Sequence, residues 1–407
     1  MKLAAAVAAP ETPHGSMNET LANMAWSLAF GDMSPEQVFA LREGSAWRLL
    51  AGGPQDRYAG LLSIANLDAF LRTDAARHPR VTMADGGRQG SAAIPPDEYL
   101  QAESSRVDLP RLFTRHDAGG SLVVSQFHEL HAPLAQFCRG LEKVFLHPVQ
   151  ANIYLTPPGA QGFRVHFDTH DVLVMQVSGA KSWRVWDDIP FPLPSRATPW
   201  ANKQSPAGTP HALTLNPGDA LYLPRGVMHE AAAQTGDAPS LHITIGFLEA
   251  SIADMLREAL ETLEAENPSL RASIPSWRLA EADGKVAIAA RMAPALAALS
   301  SEATLDQIML AAMDRMTRDR LPLSPRSLAQ RLPSADDKLR LSDAMHYHLV
   351  PLPEGGGALR WYGGVENLSA KECDWITQLA EGATPASLGE GALPFCQRLA
   401  ALGLLEP

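Results

Sequence analysis

The chain has 407 residues, with 34 Lys and Arg against 45 Asp and Glu, a formal net charge of -11 and a pI of about 5.6. Hydrophobic residues make up 46%, enough to bury a sizeable core, which excludes a disordered chain and suits two or three domains. The acidic balance argues against broad binding to nucleic acid or to anionic membrane.

Taken in chain order, residues 1–17 read as a disordered leader, because "MKLAAAVAAPE" has one lysine and an Ala-rich run but no strongly apolar signal region. From Met33 to about Ala75 the pattern suggests helices with short strands between them. "MSPEQVFALR" places Ser34 as N-cap, Pro35 at the first helical position and Gln37 at the third, a capping box. "SIANLDAFLRTDA" reads as a second short helix, and 83–98 as a Gly- and Pro-rich loop. "SLVVSQFHEL" begins as a strand, and "PLAQFCRGLEKVF" follows as an amphipathic helix.

Between Gln150 and Leu248 the texture changes. "ANIYLT", "DVLVMQV", "KSWRVW", "HALTLNPGDALYLP" and "LHITIGF" are short β-rich runs separated by the turn signals "PPGAQG", "SGA", "PRG" and "TGDAPS". Many short strands with regular turns predict an antiparallel barrel or jelly roll. After residue 250 the pattern is helical. "SIADMLREALETLEAE" aligns Ile252, Met255, Leu256, Leu260 and Leu263 in one stripe. Leu305, Ile308, Met309 and Ala312 form another, and "LSPRSLAQRL" a short capped helix. The last segment mixes "HYHLVPL" and "LRWYG" strands with "AKECDWITQLAEG" and "PFCQRLAALG" helices, as a small winged-helix-like module would. Its acids outnumber its bases, so nucleic acid is not its expected partner. Cys138, Cys373 and Cys396 form no CxxC pair and their odd number disfavours a disulfide framework, which suits a cytoplasmic protein. No run of about 18 apolar residues predicts a membrane span.

The chemistry is concentrated in "RVHFDTHDVLVMQV". His166 and Asp168 stand at i and i+2, a spacing that on a strand sends both side chains to one face. A second histidine, His229, follows "NPGDALYLPRG", a turn, strand and turn that would deliver it to the end of a neighbouring strand. Two imidazoles and one carboxylate on a rigid barrel make a facial platform that leaves coordination positions open, as non-haem Fe(II) oxygenases require. Lys181 shares a face of the next strand with Trp183 and Val185, and an inward lysine is costly unless a ligand carboxylate pairs with it. Ser240, His242 and Thr244 share one face of the last strand; Ser240 and Thr244 are candidate cosubstrate contacts, and His242 reads as a satisfied core histidine. His170 has the parity of Asp168, but with the triad complete it belongs on the pocket wall. His128, His131 and His211 read as structural.

"ANIYLTPPGAQGFRVHFDTHDVLVMQVSGAKSWRVW", "PGDALYLPRGVMHEA" and "PSLHITIGF" together resemble the cupin-type JmjC oxygenases, which include the ribosomal oxygenases of bacteria and eukaryotes. The resemblance implies an α+β chain: a double-stranded β-helix (cupin or jelly-roll) oxygenase domain over 18–250, a helical dimerisation domain over 251–333 and a winged-helix-like domain over 334–407. It implies a hydroxylase using Fe(II), 2-oxoglutarate and O2, with His166, Asp168 and His229 as metal ligands. Lys181 would hold the distal carboxylate of 2-oxoglutarate, and Asn152 and Tyr154 would line its pocket. The expected partners are a protein or peptide substrate, first an Arg or His of a ribosomal protein, and a second copy of the chain. The bacterial arginyl type carries arginine where this chain has Lys181, which puts the target residue in doubt. Two alternatives are open: hydroxylation of a peptide natural product or its precursor, and, from another class, a non-oxidative cupin that binds metal or isomerises. An inward Lys181 has no evident purpose in the non-oxidative cupin.

Overall fold

The computed structural model describes residues 20–195, 198, 205–273, 276–299, 301, 305–306, 308–309, 327–329, 331–343, 345, 347–352, 354–361 and 364–407. The leader at 1–17, Ala312 and the first residues of the short helix expected at 323–332 lie outside them.

The N-terminal helices begin with side-chain caps. Helix α1 (Leu21–Phe30) starts at Thr20, and α2 (Pro35–Glu43) starts with the expected capping box, Ser34 N donating to Gln37 Oε1 and Gln37 N to Ser34 Oγ. Strand β1 (Arg48–Leu50), α3 (Ile64–Leu71), β2 (Val81–Ala84), α4 (Leu109–Asp117), β3 (Ser121–Val124) and α5 (Ala132–Phe145) complete this half. The amphipathic α4 did not stand out in the sequence, because "LPRLFTRHD" buries only Leu112.

The β-rich region supplies β4 (Val149–Thr156), β5 (Asp171–Ser178), β6 (Lys181–Val185), β7 (His211–Leu215), β8 (Ala220–Leu223), β9 (His229–Ala233) and β10 (Ser240–Phe247). They form two antiparallel sheets: a seven-stranded one in the order β1-β8-β5-β10-β4-β3-β2, and a three-stranded one in the order β7-β6-β9. Val172, Val174, Leu221 and Leu223 of the first sheet share a core with Trp183, Val185 and Leu215 of the second, so the two face each other. The β5–β6 turn needs Gly179. Its φ is +63°, and a Cβ there would stand 2.4 Å from Pro239 O.

β10 is buried along its whole length. Its Leu241, Ile243, Ile245 and Phe247 enter the outer core beneath α1 and α5, where Phe145 and Phe247 lie 4.2 Å apart between ring centroids. Removing a ring of this kind costs about 3–5 kcal/mol. The opposite face of β10, carrying His242, Thr244 and Gly246, looks into the space between the sheets. In register with it stand Tyr154, Asn152 and Gln150 of β4, and Gln176, Val174 and Val172 of β5.

Helices α6 (Ile252–Glu266) and α7 (Gly284–Leu299) follow, with Pro294 inside α7. Strands β11 (Arg340–Leu341), β12 (Tyr347–Pro351), β13 (Gly357–Trp361) and β14 (Gly364–Leu368), helices α8 (Ala370–Glu381), α9 (Pro385–Leu388) and α10 (Ala392–Ala401), and β15 (Leu405–Glu406) build a C-terminal module with its own apolar core. Asp343 ties this module to the first half, accepting from Lys143 Nζ at 2.5 Å and from Leu21 N. No helix among the described residues is long and apolar enough to cross a membrane.

Candidate metal centre

The motif does not sit on a strand. Strand β5 begins at Asp171, three residues after Asp168, and 166–170 is irregular except for one β-bridge from His166 to His229. Two backbone hydrogen bonds make that bridge, His166 N to His229 O at 2.9 Å and the reverse at 2.8 Å. Alternation still sets the side chains, for an apolar reason. Val165 and Phe167 pack with Trp186 and Met228 in a small core, which turns His166 and Asp168 the other way. Met228 does the same for His229, the first residue of β9.

A second clamp comes from the "PRG" turn ahead of His229. Arg225 N donates to the Asp171 carboxylate at 2.9 Å and Gly226 N to Asp168 O at 3.0 Å. Asp171 also accepts from Tyr222 Oη. Asp171 is thus a buried brace for the loops that carry the metal-binding side chains.

The result is a cluster in which one ligand atom each of His166, Asp168 and His229 lies within 4.8 Å of the others. His229 Nε2 and Asp168 Oδ2 are 3.7 Å apart. Each imidazole has its Nδ1 committed to a carbonyl, His166 to Arg164 O at 2.7 Å and His229 to Val227 O at 3.0 Å. A carbonyl only accepts, so both Nδ1 atoms are donors, which leaves Nε2 as the atom of each ring available to a metal. Two imidazoles and a carboxylate suit a borderline divalent ion such as Fe(II) and leave its remaining positions free. The donor set fits the metal expected from the sequence.

The cluster borders a cavity of about 190 Å³ that is also lined by Ser121, Tyr154, Thr156, Phe163, Lys181, Trp183, His242 and Thr244. Lys181 is only 5% exposed. Its Nζ donates to Thr156 Oγ1 at 3.2 Å and lies 3.5 Å from His242 Nδ1. Among the described residues no carboxylate pairs with it. Burial pushes its pKa down to about 7. His242 is held well below the ordinary range by burial and then by Lys181, so its ring is neutral and can accept from the ammonium. Tyr154 stacks on His242 at 4.8 Å, and burial together with nearby Asp168 raises its phenol pKa, keeping it protonated.

Of the residues singled out in the sequence, Lys181, Tyr154 and Thr244 therefore line the cavity. Asn152 and Ser240 do not: Asn152 Oδ1 accepts from Gln126 N at 2.9 Å, and Ser240 Oγ accepts from Gln176 at 2.9 Å. His242 is buried as expected, yet it stands on the cavity wall against Lys181. Thr156 was overlooked, although it shares the face of Asn152 and Tyr154 and so was within reach of the same alternation. His128 accepts from Ala151 N, His131 bonds to Leu61 O and stacks on Phe127, and His211 pairs with Asp187.

Residues 123–255 match the family model for the JmjC domain. Human ribosomal oxygenase 1 is 32% identical over 232 residues, covering 54% of this chain and 34% of that protein. The bifunctional lysine-specific demethylase and histidyl-hydroxylase NO66 of Dictyostelium discoideum is 39% identical over 148 residues, 34% of this chain and 28% of that one. Residues 123–255 thus form a JmjC domain similar to that of the ribosomal oxygenases. That domain contains the entire His–Asp–His cluster. The chain spans about a third of the length of these relatives. Among solved structures, YcfD, a ribosomal oxygenase from Escherichia coli, shares the fold with a TM-score of 0.51 at 14% identity, over 92% of this chain and 98% of that one. A structure of YcfD with cobalt and succinic acid matches at a TM-score of 0.50 and 14% identity, over 89% and 94%.

Proposed function

We propose that the protein is an Fe(II)- and 2-oxoglutarate-dependent hydroxylase of a protein or peptide side chain, first of all an Arg or His of a ribosomal protein. The observation that carries this reading is the pairing within one cavity of a three-donor metal cluster and a buried lysine that has no carboxylate partner among the described residues. His166, Asp168 and His229 would hold the ion. Bound there, ferrous iron and 2-oxoglutarate supply the oxidising chemistry, in which O2 is consumed, succinate and CO2 leave, and one oxygen atom enters a substrate C–H bond.

The chain's own residues bind, orient and exclude water. Lys181 closes the cavity with a cation suited to the distal carboxylate of 2-oxoglutarate, a charge-assisted contact worth about 1.5–3 kcal/mol. Thr156 and His242 aim the ammonium and compete weakly for it, since both are neutral. Tyr154 and Thr244 offer hydroxyls along the wall. Asn152 and Ser240 support that wall by fixing the Gln126 amide and the Gln176 side chain. Trp183 and Phe163 supply apolar surface that keeps bulk water out. No protein acid or base is required.

The ribosomal target rests on the names of the relatives and on charge, because an acidic protein suits basic ribosomal proteins. A homodimer is supported by α6, where Ala259 and Leu263 face inward while Ile252, Leu256 and Leu260 on the same helix are exposed. A structural or protein-contact role for the C-terminal module is supported by Arg398, which pairs with Glu366 and Glu372 rather than standing free for phosphate. Three free cysteines suit a cytoplasmic setting. The test is succinate formation from 2-oxoglutarate with total ribosomal protein as substrate, followed by mass spectrometry for a product one oxygen atom heavier. Turnover without any such product would move the substrate to the peptide alternative. No turnover with iron and 2-oxoglutarate would overturn the oxygenase reading.

A further inference from the structure

The inward face of β4, β10 and β5 is a series of rungs: Tyr154, His242 and Gln176, then Asn152, Thr244 and Val174, and last Gln150, Gly246 and Val172. Of these, Tyr154, His242, Thr244, Val174 and Val172 line the cavity. Gly246 therefore continues the row that begins with His242 and Thr244, one step beyond Thr244. Its missing side chain is replaced by the ring of His170. A Cβ on Gly246 would stand 2.6 Å from His170 Nε2, 2.7 Å from His170 Cδ2 and 3.2 Å from Gln150 Cγ. Glycine at 246 is thus what lets an imidazole from the loop before β5 lie on the inward face, beside Val172, which lines the cavity.

His170 and Gln150 are both half-buried, and among the described residues neither side chain has a hydrogen-bond or ion-pair partner. His170 is also not part of the metal cluster. Two polar side chains flanking one glycine, next to the cavity-lining Val172, keep hydrogen-bonding atoms available to a ligand. An imidazole and a carboxamide can accept from a guanidinium or share a proton with another imidazole, so they suit a nitrogen-bearing side chain.

We propose that His170, admitted by Gly246 and flanked by Gln150, contacts the substrate side chain at the cavity rim and selects a nitrogen-bearing one. This rests on the hydroxylase reading above. The loss of one or two such hydrogen bonds lowers productive binding about tenfold or more, whereas a mere wall residue would not.

The test uses the 407-residue chain loaded with Fe(II) and 2-oxoglutarate, with total ribosomal protein as the probe. Succinate formed without probe is measured beside product formed with it. H170A is expected to cut product about tenfold or more while leaving probe-free succinate formation within about twofold. G246A, which displaces the ring without removing it, should give the same split, and H170N should recover part of the loss. If wild type makes product and H170A makes as much, His170 is only wall and the proposal falls while the hydroxylase reading stands. If wild type turns over 2-oxoglutarate but hydroxylates nothing in the probe, the ribosomal reading and this proposal fall together. If wild type forms no succinate at all, the oxygenase reading has failed first.

Discussion

The two ends of the cavity are built on opposite principles. At the metal end, the imidazoles are tied off behind: Nδ1 of His166 and of His229 are spent on carbonyls, and Phe167 and Met228 anchor the two segments in one apolar cluster. At the far end, Lys181 is buried with only a hydroxyl and a neutral imidazole for company. The first end is rigid and electrically nearly complete; the second holds a charge the fold does not balance. The difference teaches where ligand binding energy enters. The metal end is preorganised by burial of its neighbours, while the cation end is a buried lysine that an anion would stabilise.

The largest effect that would sharpen this contrast is at the metal end. Asp168→Ala removes the only carboxylate of the cluster, and turnover measured as succinate formation should fall by about 10³-fold or more. Next comes Lys181→Met, which should raise the KM for 2-oxoglutarate by roughly 10–150-fold. The same change should make the ligand-free protein more stable, by about 1–4 kcal/mol in thermal or urea unfolding near pH 7. The sign follows from linkage. The folded-state pKa of Lys181 is about 7 against an ordinary 10.5, so between these values the unfolded chain binds more protons. Wild-type stability therefore rises with pH across that window, and the advantage of the methionine variant should shrink toward pH 10. A variant that loses stability at pH 7 would break the contrast.

A third prediction concerns the anchors. Phe167→Ala leaves every ligand in place but loosens the loop, and Fe(II) affinity should drop about 10–100-fold in a metal titration, with the KM for 2-oxoglutarate at saturating iron changed little. The fourth and smallest is a pH profile. Below about pH 7 Lys181 is charged in the free cavity, so 2-oxoglutarate affinity is flat; above it, binding must take up a proton, and the KM should climb up to about tenfold per pH unit. A flat profile from pH 6 to 9 would deny Lys181 its part.

Much of this was legible in the sequence for a simple reason: alternation survives where β-branched and aromatic residues line one face and a ligand pocket the other. "ANIYLT", "DVLVMQV", "KSWRVW" and "LHITIGF" became β4, β5, β6 and β10, and the parity of Lys181 with Trp183 and Val185 held. Strand β9 was not legible, because "HEAAA" has no strand-forming residues and exists only by pairing with β6. Nor was the irregular path of His166 and Asp168, whose facing is set by Phe167 and Met228, more than 60 residues apart in sequence and joined only by the fold. Asn152 looked like a pocket residue by parity alone, and its bond to the Gln126 amide depends on a loop no local pattern specifies. The exposed stripe Ile252, Leu256 and Leu260 was readable, but which of its neighbours turned inward was not.

The central claim is that one cavity holds Fe(II) at His166, Asp168 and His229 and 2-oxoglutarate between that ion and Lys181. The most direct test is an anaerobic titration of the protein with Fe(II) and 2-oxoglutarate, watching for the visible charge-transfer absorbance that arises when the keto acid chelates the ion. The account predicts that the band appears in wild type, is absent in Asp168→Ala, and needs far more 2-oxoglutarate in Lys181→Met. A band that survives in Asp168→Ala, or none in wild type at saturating ligand, would contradict it.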